Sequence, residues 1–340
     1  MMTAARKKEK SEMPEKMIVE FPHPYLEFPC ARNFLDKAQN VTRWNGGDHC
    51  RRLVKHFGQY VDSKGKLREG DLAFWTEWEA NTIAKRVQNR PAKNSAKWVH
   101  EVLLPNPQLA KLDYTCRAKA KGCCAGGCGG VCCGGACCGA NTDPCVFGSS
   151  FKYCLCKQDH YPKVLKNLDV GSIILFGSIN GGKYYLDTVF VVKKFEKYST
   201  TPSFMRSLGV SSAYKELTLK RFSGKGNVLY RGVTVNDSPD EMFSFTPAER
   251  WVGGGQGVGR RCELDIQSLN NLHADLQFRA KRGVAQCVVH TIVPNGRPDL
   301  NRLVWEKVRR QVIDKKFVLG THFDWPKRQC VMRNGQMIVV

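Results

Sequence analysis

Apolar positions follow two different periods along the chain, so both strands and helices are predicted. Residues 172–177 and 184–192 read as apolar strands, and Asn180-Gly181-Gly182 between them has the composition of a tight turn, which predicts a β-hairpin. In LAFWTEWEA, residues 72–80, period two puts Phe74, Thr76 and Trp78 on one face and Trp75, Glu77 and Glu79 on the other. Further strands are predicted over 228–235 and over 287–292, the latter closed by Pro294. Asn334-Gly335 sits between short apolar arms in 331–340, the strongest short signal for a hairpin.

Two stretches carry the helical period instead. Over 48–57, Cys50, Leu53, Val54 and Phe57 fall at i, i+3, i+4 and i+7, with Asp48 placed to cap the first amides and Gly58 to end the helix. Over 300–312, Leu303, Val304, Val308 and Val312 form an inward stripe. Strands and helices alternate without regular βαβ units. The predicted class is therefore α+β, with a mixed or antiparallel sheet and packed helices.

Four segments follow. Residues 1–20 are charged and aperiodic and read as a mobile basic arm. Residues 21–115 form an N-terminal α+β portion, entered through an irregular stretch with Pro22, Pro24 and Pro29. Residues 116–140 are a Cys/Gly-rich insert, and 141–340 form the C-terminal portion. No run approaches the roughly 18 apolar residues of a membrane-spanning helix, and no membrane partner is expected. The first sixteen residues carry no apolar h-region, so a cytoplasmic, reducing address is expected.

Charge changes the picture most. Fifty-three Lys and Arg against 31 Asp and Glu leave a net charge of +22. That composition excludes collagen, a coiled coil, a disordered chain and a small disulfide scaffold, and it points to a polyanionic partner, DNA or RNA. The candidate phosphate contacts are Arg51, Arg52 and Lys55 on the predicted helix, Arg260 and Arg261, and Arg309 and Arg310 at the end of the second helix. Arg117, Lys119, Lys121, Arg279, Lys281, Arg282, Lys315, Lys316, Lys327 and Arg328 extend the basic surface. The run Gly253-Gly254-Gly255-Gln256-Gly257-Val258-Gly259 can form a nest of amides around a phosphate, completed by Arg260 and Arg261, although it matches neither a P-loop nor a dinucleotide fingerprint. A mobile surface loop is the plainer reading of it.

Two other constellations carry chemistry. Residues 122–139 hold seven Cys and eight Gly, with Cys123, Cys124, Cys128, Cys132, Cys133, Cys137 and Cys138 spaced in near pentads. Thiolates at this density suit a soft ion, zinc in particular, but CxxC knuckles are absent, so a flexible insert that meets metal only adventitiously stays open beside a thiolate metal-binding cluster. Glu77 and Glu79, flanked by Trp75 and Trp78 and joined by His49, can hold a divalent ion or divide acid and base roles, which would make a metal-dependent enzyme acting on nucleic acid or nucleotides. Asp187 falls on an apolar strand face, where a carboxylate is costly unless paired.

The phrase Asp169-Val170-Gly171-Ser172 leading into the strand and turn before Tyr184, together with Gly70-Asp71-Leu72-Ala73-Phe74-Trp75, resembles the hairpin of PUA-like proteins, the group that includes EVE, ASCH and YTH domains. Ser172 stands where that group usually has Asp. The resemblance implies a small β-barrel in the C-terminal portion whose aromatic cavity accepts a flipped or modified base, with Trp75, Trp78, Phe147, Phe151, Tyr153 and Phe176 as stacking faces. It carries over no ligand residue position by position. WNGGDHCRR, FWTEWEANT, NTDPCVFGSSFKYC and LDTVFVV also resemble a family of uncharacterised prokaryotic proteins, which brings no activity.

Overall fold

A computed structural model of the chain describes residues 14–23, 34–42, 51–78, 80–91, 95–104, 106, 142–199, 201–210, 212, 215, 219, 226–237, 241–255, 257–279, 289–293 and 299–340. The first half supplies β1 (Met17–His23), β2 (Phe34–Asp36), β3 (Val41–Thr42), the long strands β4 (Arg51–Val61) and β5 (Leu67–Glu77), β6 (Thr82–Arg86) and β7 (Trp98–Val102). After residue 141 come β8 (Lys152–Tyr153), α1 (Pro162–Leu165), β9 (Ile173–Asn180), β10 (Lys183–Lys197), α2 (Pro202–Ser207), β11 (Val228–Gly232), β12 (Thr246–Arg250) and β13 (Cys262–Leu264). The chain closes with α3 (Ile266–Asn270), β14 (Val289–Ile292), α4 (Asp299–Asp314), β15 (Val318–Phe323), β16 (Cys330–Arg333) and β17 (Gln336–Val339). The architecture is mostly β, and α4 is the one long helix among the described residues.

One sheet runs β14-β1-β9-β10-β11-β8, with β13 also on β10, and only β1 and β9 are parallel. Its side chains alternate between two cores, as a pleated strand requires. Ile18, Ile173, Leu175, Val189 and Val191 meet Val304, Val308 and Val312 of α4, whereas Val19, Phe21, Ile174, Phe176 and Phe190 join Phe74, Trp78 and Phe147 of the opposite layer. A sheet covered on both faces reads as continuous apolar runs. That explains why β9 and β10 stand out so clearly in the sequence.

The second sheet runs β15-β12-β5-β4-β7-β6-β3-β2, with β15 also paired to β4. Leu319 of β15 faces both Pro247 of β12 and Val61 of β4, so the pairings β4-β5-β12-β15 close a circuit. Gly58 lies where β4 and β15 touch, and a Cβ there would meet the His322 carbonyl and the Phe323 ring. β16 and β17 form a separate hairpin whose turn places Asn334 and Gly335 at φ 49° and 73°.

Several expectations are corrected. The helix predicted over 48–57 is the strand β4, paired residue for residue from Arg51 opposite Glu77 to Val61 opposite Leu67. Leu53 and Val54, adjacent in sequence, are both fully buried because they point into different cores, and side-by-side apolar residues imitate a helical stripe. Gly58 is therefore a mid-strand close approach and not a helix terminator. The basic arm of 1–20 does not extend to its stated end, since Met17–His23 is β1, with Ile18 paired to Ile173 of β9 and to Thr291 of β14. Leu303 is 47% exposed, so the α4 stripe is Val304, Val308 and Val312. The portions 21–115 and 141–340 share sheets, as the pairing of β12 and β15 with β4 and β5 shows.

Candidate functional site

The basic residues chosen from sequence divide into an interior set and a surface set. Arg51 and Arg52 open β4 and are both fully buried. Arg51 Nε lies 3.1 Å from Asp187 Oδ2 on β10, and its Nη1 lies 3.6 Å from Glu77 Oε2 on β5. Asp187 is thus paired, as its place on an apolar face demands. Burial still raises its pKa, against the lowering influence of Arg51 and Arg261. Asp143 stands close to Glu77 and accepts the amides of Leu155 (2.5 Å) and Cys156 (2.7 Å), yet burial outweighs those hydrogen bonds and lifts its carboxyl to about 7. Arg52 Nη1 donates to the Ala80 carbonyl at 2.7 Å and ties β4 to the start of β6.

These contacts correct the phosphate roles given to Arg51 and Arg52, whose guanidinium groups are sealed between layers. Glu77 is equally sealed, so it presents no carboxylate to a substrate. Trp75 and Trp78 are 4% and 0% exposed, and Phe147, Phe151, Tyr153 and Phe176 are core, so none offers a ring to a base. Lys55 reaches the surface, where it pairs with Asp71 at 2.9 Å and lies 5.2 Å from the Trp251 ring centroid. His49, Glu79 and the insert thiols Cys123, Cys124, Cys128, Cys132, Cys133, Cys137 and Cys138 lie outside the described residues. The zinc expectation lies there with them, and among the described residues no group of three His, Cys, Asp or Glu is arranged to hold a metal ion.

The glycine run is occupied from within. Glu249 at the end of β12 accepts the amides of Gly259 (2.6 Å) and Arg260 (3.0 Å), and its other oxygen takes Arg260 Nε at 2.6 Å. The expected phosphate nest is therefore filled by a carboxylate of the chain itself at its C-terminal end. Arg260 also donates to the Lys315 carbonyl and lies over the Phe317 ring. Arg261 donates to Ser178 Oγ at 2.8 Å, with its guanidinium carbon 3.9 Å from the Trp75 ring centroid. Both arginines are committed to the fold.

Arg309 and Arg310 are placed differently. They line a cleft of about 700 Å³ between α4 and the β4–β5 turn, floored by Trp305 and Phe243. A second hollow of about 520 Å³ shares Ser63 and Ile313 with the first and adds Lys64, Arg68, Arg250 and Lys316. Arg302 and Arg68 pair with Glu306 and Asp62, whereas Lys64, Arg250, Arg309, Arg310 and Lys316 enter no ion pair among the described residues. Five cations from four chain segments thus converge on one groove that also carries Glu241 and Asp314. Sequence reasoning missed Lys64 and Arg68, which stand among Asp62, Lys66 and Glu69, and Arg250, which follows Glu249, because they are brought to the groove only when β4, β5 and β12 pair. No protein-family model, curated protein or solved structure matches the chain.

Proposed function

We propose that this protein binds nucleic acid, with a phosphate backbone running along the groove between α4 and the β4–β5 turn. The observation that carries the proposal is the convergence of Lys64, Arg250, Arg309, Arg310 and Lys316 on adjoining hollows, in a chain of net charge +22. Cations of this kind gain affinity by releasing the counterions condensed on the phosphates they displace. The PUA-like reading rests on the β9–β10 hairpin, entered through Asp169-Val170-Gly171-Ser172, and on the similar Gly70-Asp71 phrase in β5. A cytoplasmic address goes with it.

Fluorescence anisotropy with labelled duplex DNA, single-stranded DNA and RNA tests the proposal. Affinity for duplex is expected to fall by about 0.9 log unit per log unit of salt for each phosphate neutralised, giving a slope of about −4.5 with five cations engaged. Reversing Arg309 and Arg310 to Glu is expected to reduce that slope by about 2 or abolish binding. A flat salt response, or the same affinity after reversal, overturns it.

A further inference from the structure

We infer that a pocket formed by β6, β7 and the loop after β12 holds one nucleobase together with its phosphate. Trp98, the first residue of β7, and Trp251, just past β12, both line this pocket of about 440 Å³, a volume in the range of small-ligand sites. Both indoles are half-buried. Phe34 meets Trp98 edge-on with ring centroids 5.7 Å apart, which sets the orientation of that wall. Trp251 lies against Gly255, where any Cβ would enter the indole. The glycine is what allows the loop to lie against the ring.

The polar lining selects the ligand. Lys85 and Arg86 are exposed on β6 and enter no ion pair among the described residues, and Asn40 and Gln88 present amides able to donate and accept. Among the described residues no carboxylate lines the pocket. An aromatic cage for a cationic ligand needs uncompensated π faces or acids, and two cations at the rim oppose that. Aromatic walls with amide edges and cations suit an aromatic anion, and stacking on such walls accepts any base. The groove and the pocket meet at consecutive residues, Arg250 lining one and Trp251 the other. The inference deepens the nucleic-acid reading and rests on it only for a polymeric ligand, because a free nucleotide offers the same chemistry.

Isothermal titration of the full chain with the four nucleoside 5′-monophosphates, with a short single-stranded oligonucleotide and with inorganic phosphate tests it. Saturable binding of at least one mononucleotide is expected, with inorganic phosphate unable to displace it. Trp251→Ala and Trp98→Ala are each expected to weaken binding by about tenfold or more, with Trp251→Phe retaining most of it. Arg86→Glu, at an exposed position, is expected to do the same with an unchanged melting profile. Arg309→Glu/Arg310→Glu should leave mononucleotide binding intact. If no mononucleotide binds, if phosphate competes equally, or if folded Trp251→Ala and Arg86→Glu bind as well as the natural chain, the pocket assignment fails. Loss of mononucleotide binding with salt-sensitive polymer binding intact refutes the pocket alone, and the reverse refutes the groove alone. Oligonucleotide binding much tighter than that of its mononucleotides identifies the polymer as the ligand source.

Discussion

Arg51 on β4 and Asp187 on β10 meet at 3.1 Å with both side chains about 1% exposed, and this ion pair links the two sheets. Glu77, 3.6 Å from the same guanidinium, makes Arg51 the cation for two buried carboxylates. Removing one partner from a buried pair leaves a charge without compensation. Arg51→Met is therefore expected to cost about 3–5 kcal/mol, and adding Asp187→Leu to recover part of the loss. Urea midpoints of the two variants decide this. A single variant within about 1 kcal/mol of the natural chain would show that the carboxylates bind protons instead of relying on Arg51.

Glu249 holds the end of the glycine run through two amides and a guanidinium. Glu249→Gln keeps the shape but loses the charge-assisted bonds, worth about 1.5–3 kcal/mol together. Hydrogen exchange at the Gly259 and Arg260 amides should accelerate in this variant, while exchange in β9 and β10 stays unchanged. Equal protection at both amides would mean that the loop is held by other contacts.

Two buried acids set an unusual pH response. Burial raises the Glu20 carboxyl from 4.5 to about 7 despite the Arg279 amide 2.8 Å away, and burial with nearby Glu77 raises Asp143 to about 7. A folded-state pKa above the unfolded one means the native state holds the proton more tightly. The stability this provides is complete below about pH 4 and is lost as pH rises through about 7. Glu20→Gln is neutral throughout, so it should melt close to the natural chain near about pH 4.5 and above it at about pH 8, by up to about 3 kcal/mol. Parallel melting curves for the two chains across this range would refute the assignment.

Gly58 provides a steric test of the strand circuit. Its Cβ position is 2.6 Å from Phe323 Cδ1 and still closer to the His322 carbonyl. Gly58→Ala is expected to cost about 1–3 kcal/mol by forcing β15 away from β4. Thermal melting reads this directly, and an unchanged midpoint would show that β15 yields without penalty.

Much of the fold is visible in local pattern. The β9–β10 and β16–β17 hairpins and α4 depend on near neighbours: turn glycines, Asn334 in a left-handed conformation, and a stripe of valines at helical spacing. The net charge, and with it the class of partner proposed, is likewise a property of composition. β4 and β1 are not legible in this way. Arg51 and Arg52 look like surface charges until Glu77, Asp187 and Ala80 are brought to them from other strands, and β1 is a short apolar stretch beside a charged terminus until β9 and β14 pair with it.

The candidate sites divide along the same line. Local pattern supplied Arg309, Arg310 and Lys316 but not Lys64, Arg68 and Arg250, and the tryptophans it singled out are buried. Trp75, within β5, and Trp78, just past it, are core, whereas Trp98 opens β7 and Trp251 follows β12, and both line a pocket. Amino-acid order settles which segments extend or coil, because those preferences come from contacts a few residues away. Which charges are buried and which rings face a hollow is settled by strand pairing across more than a hundred residues, a long-range outcome that no local window contains.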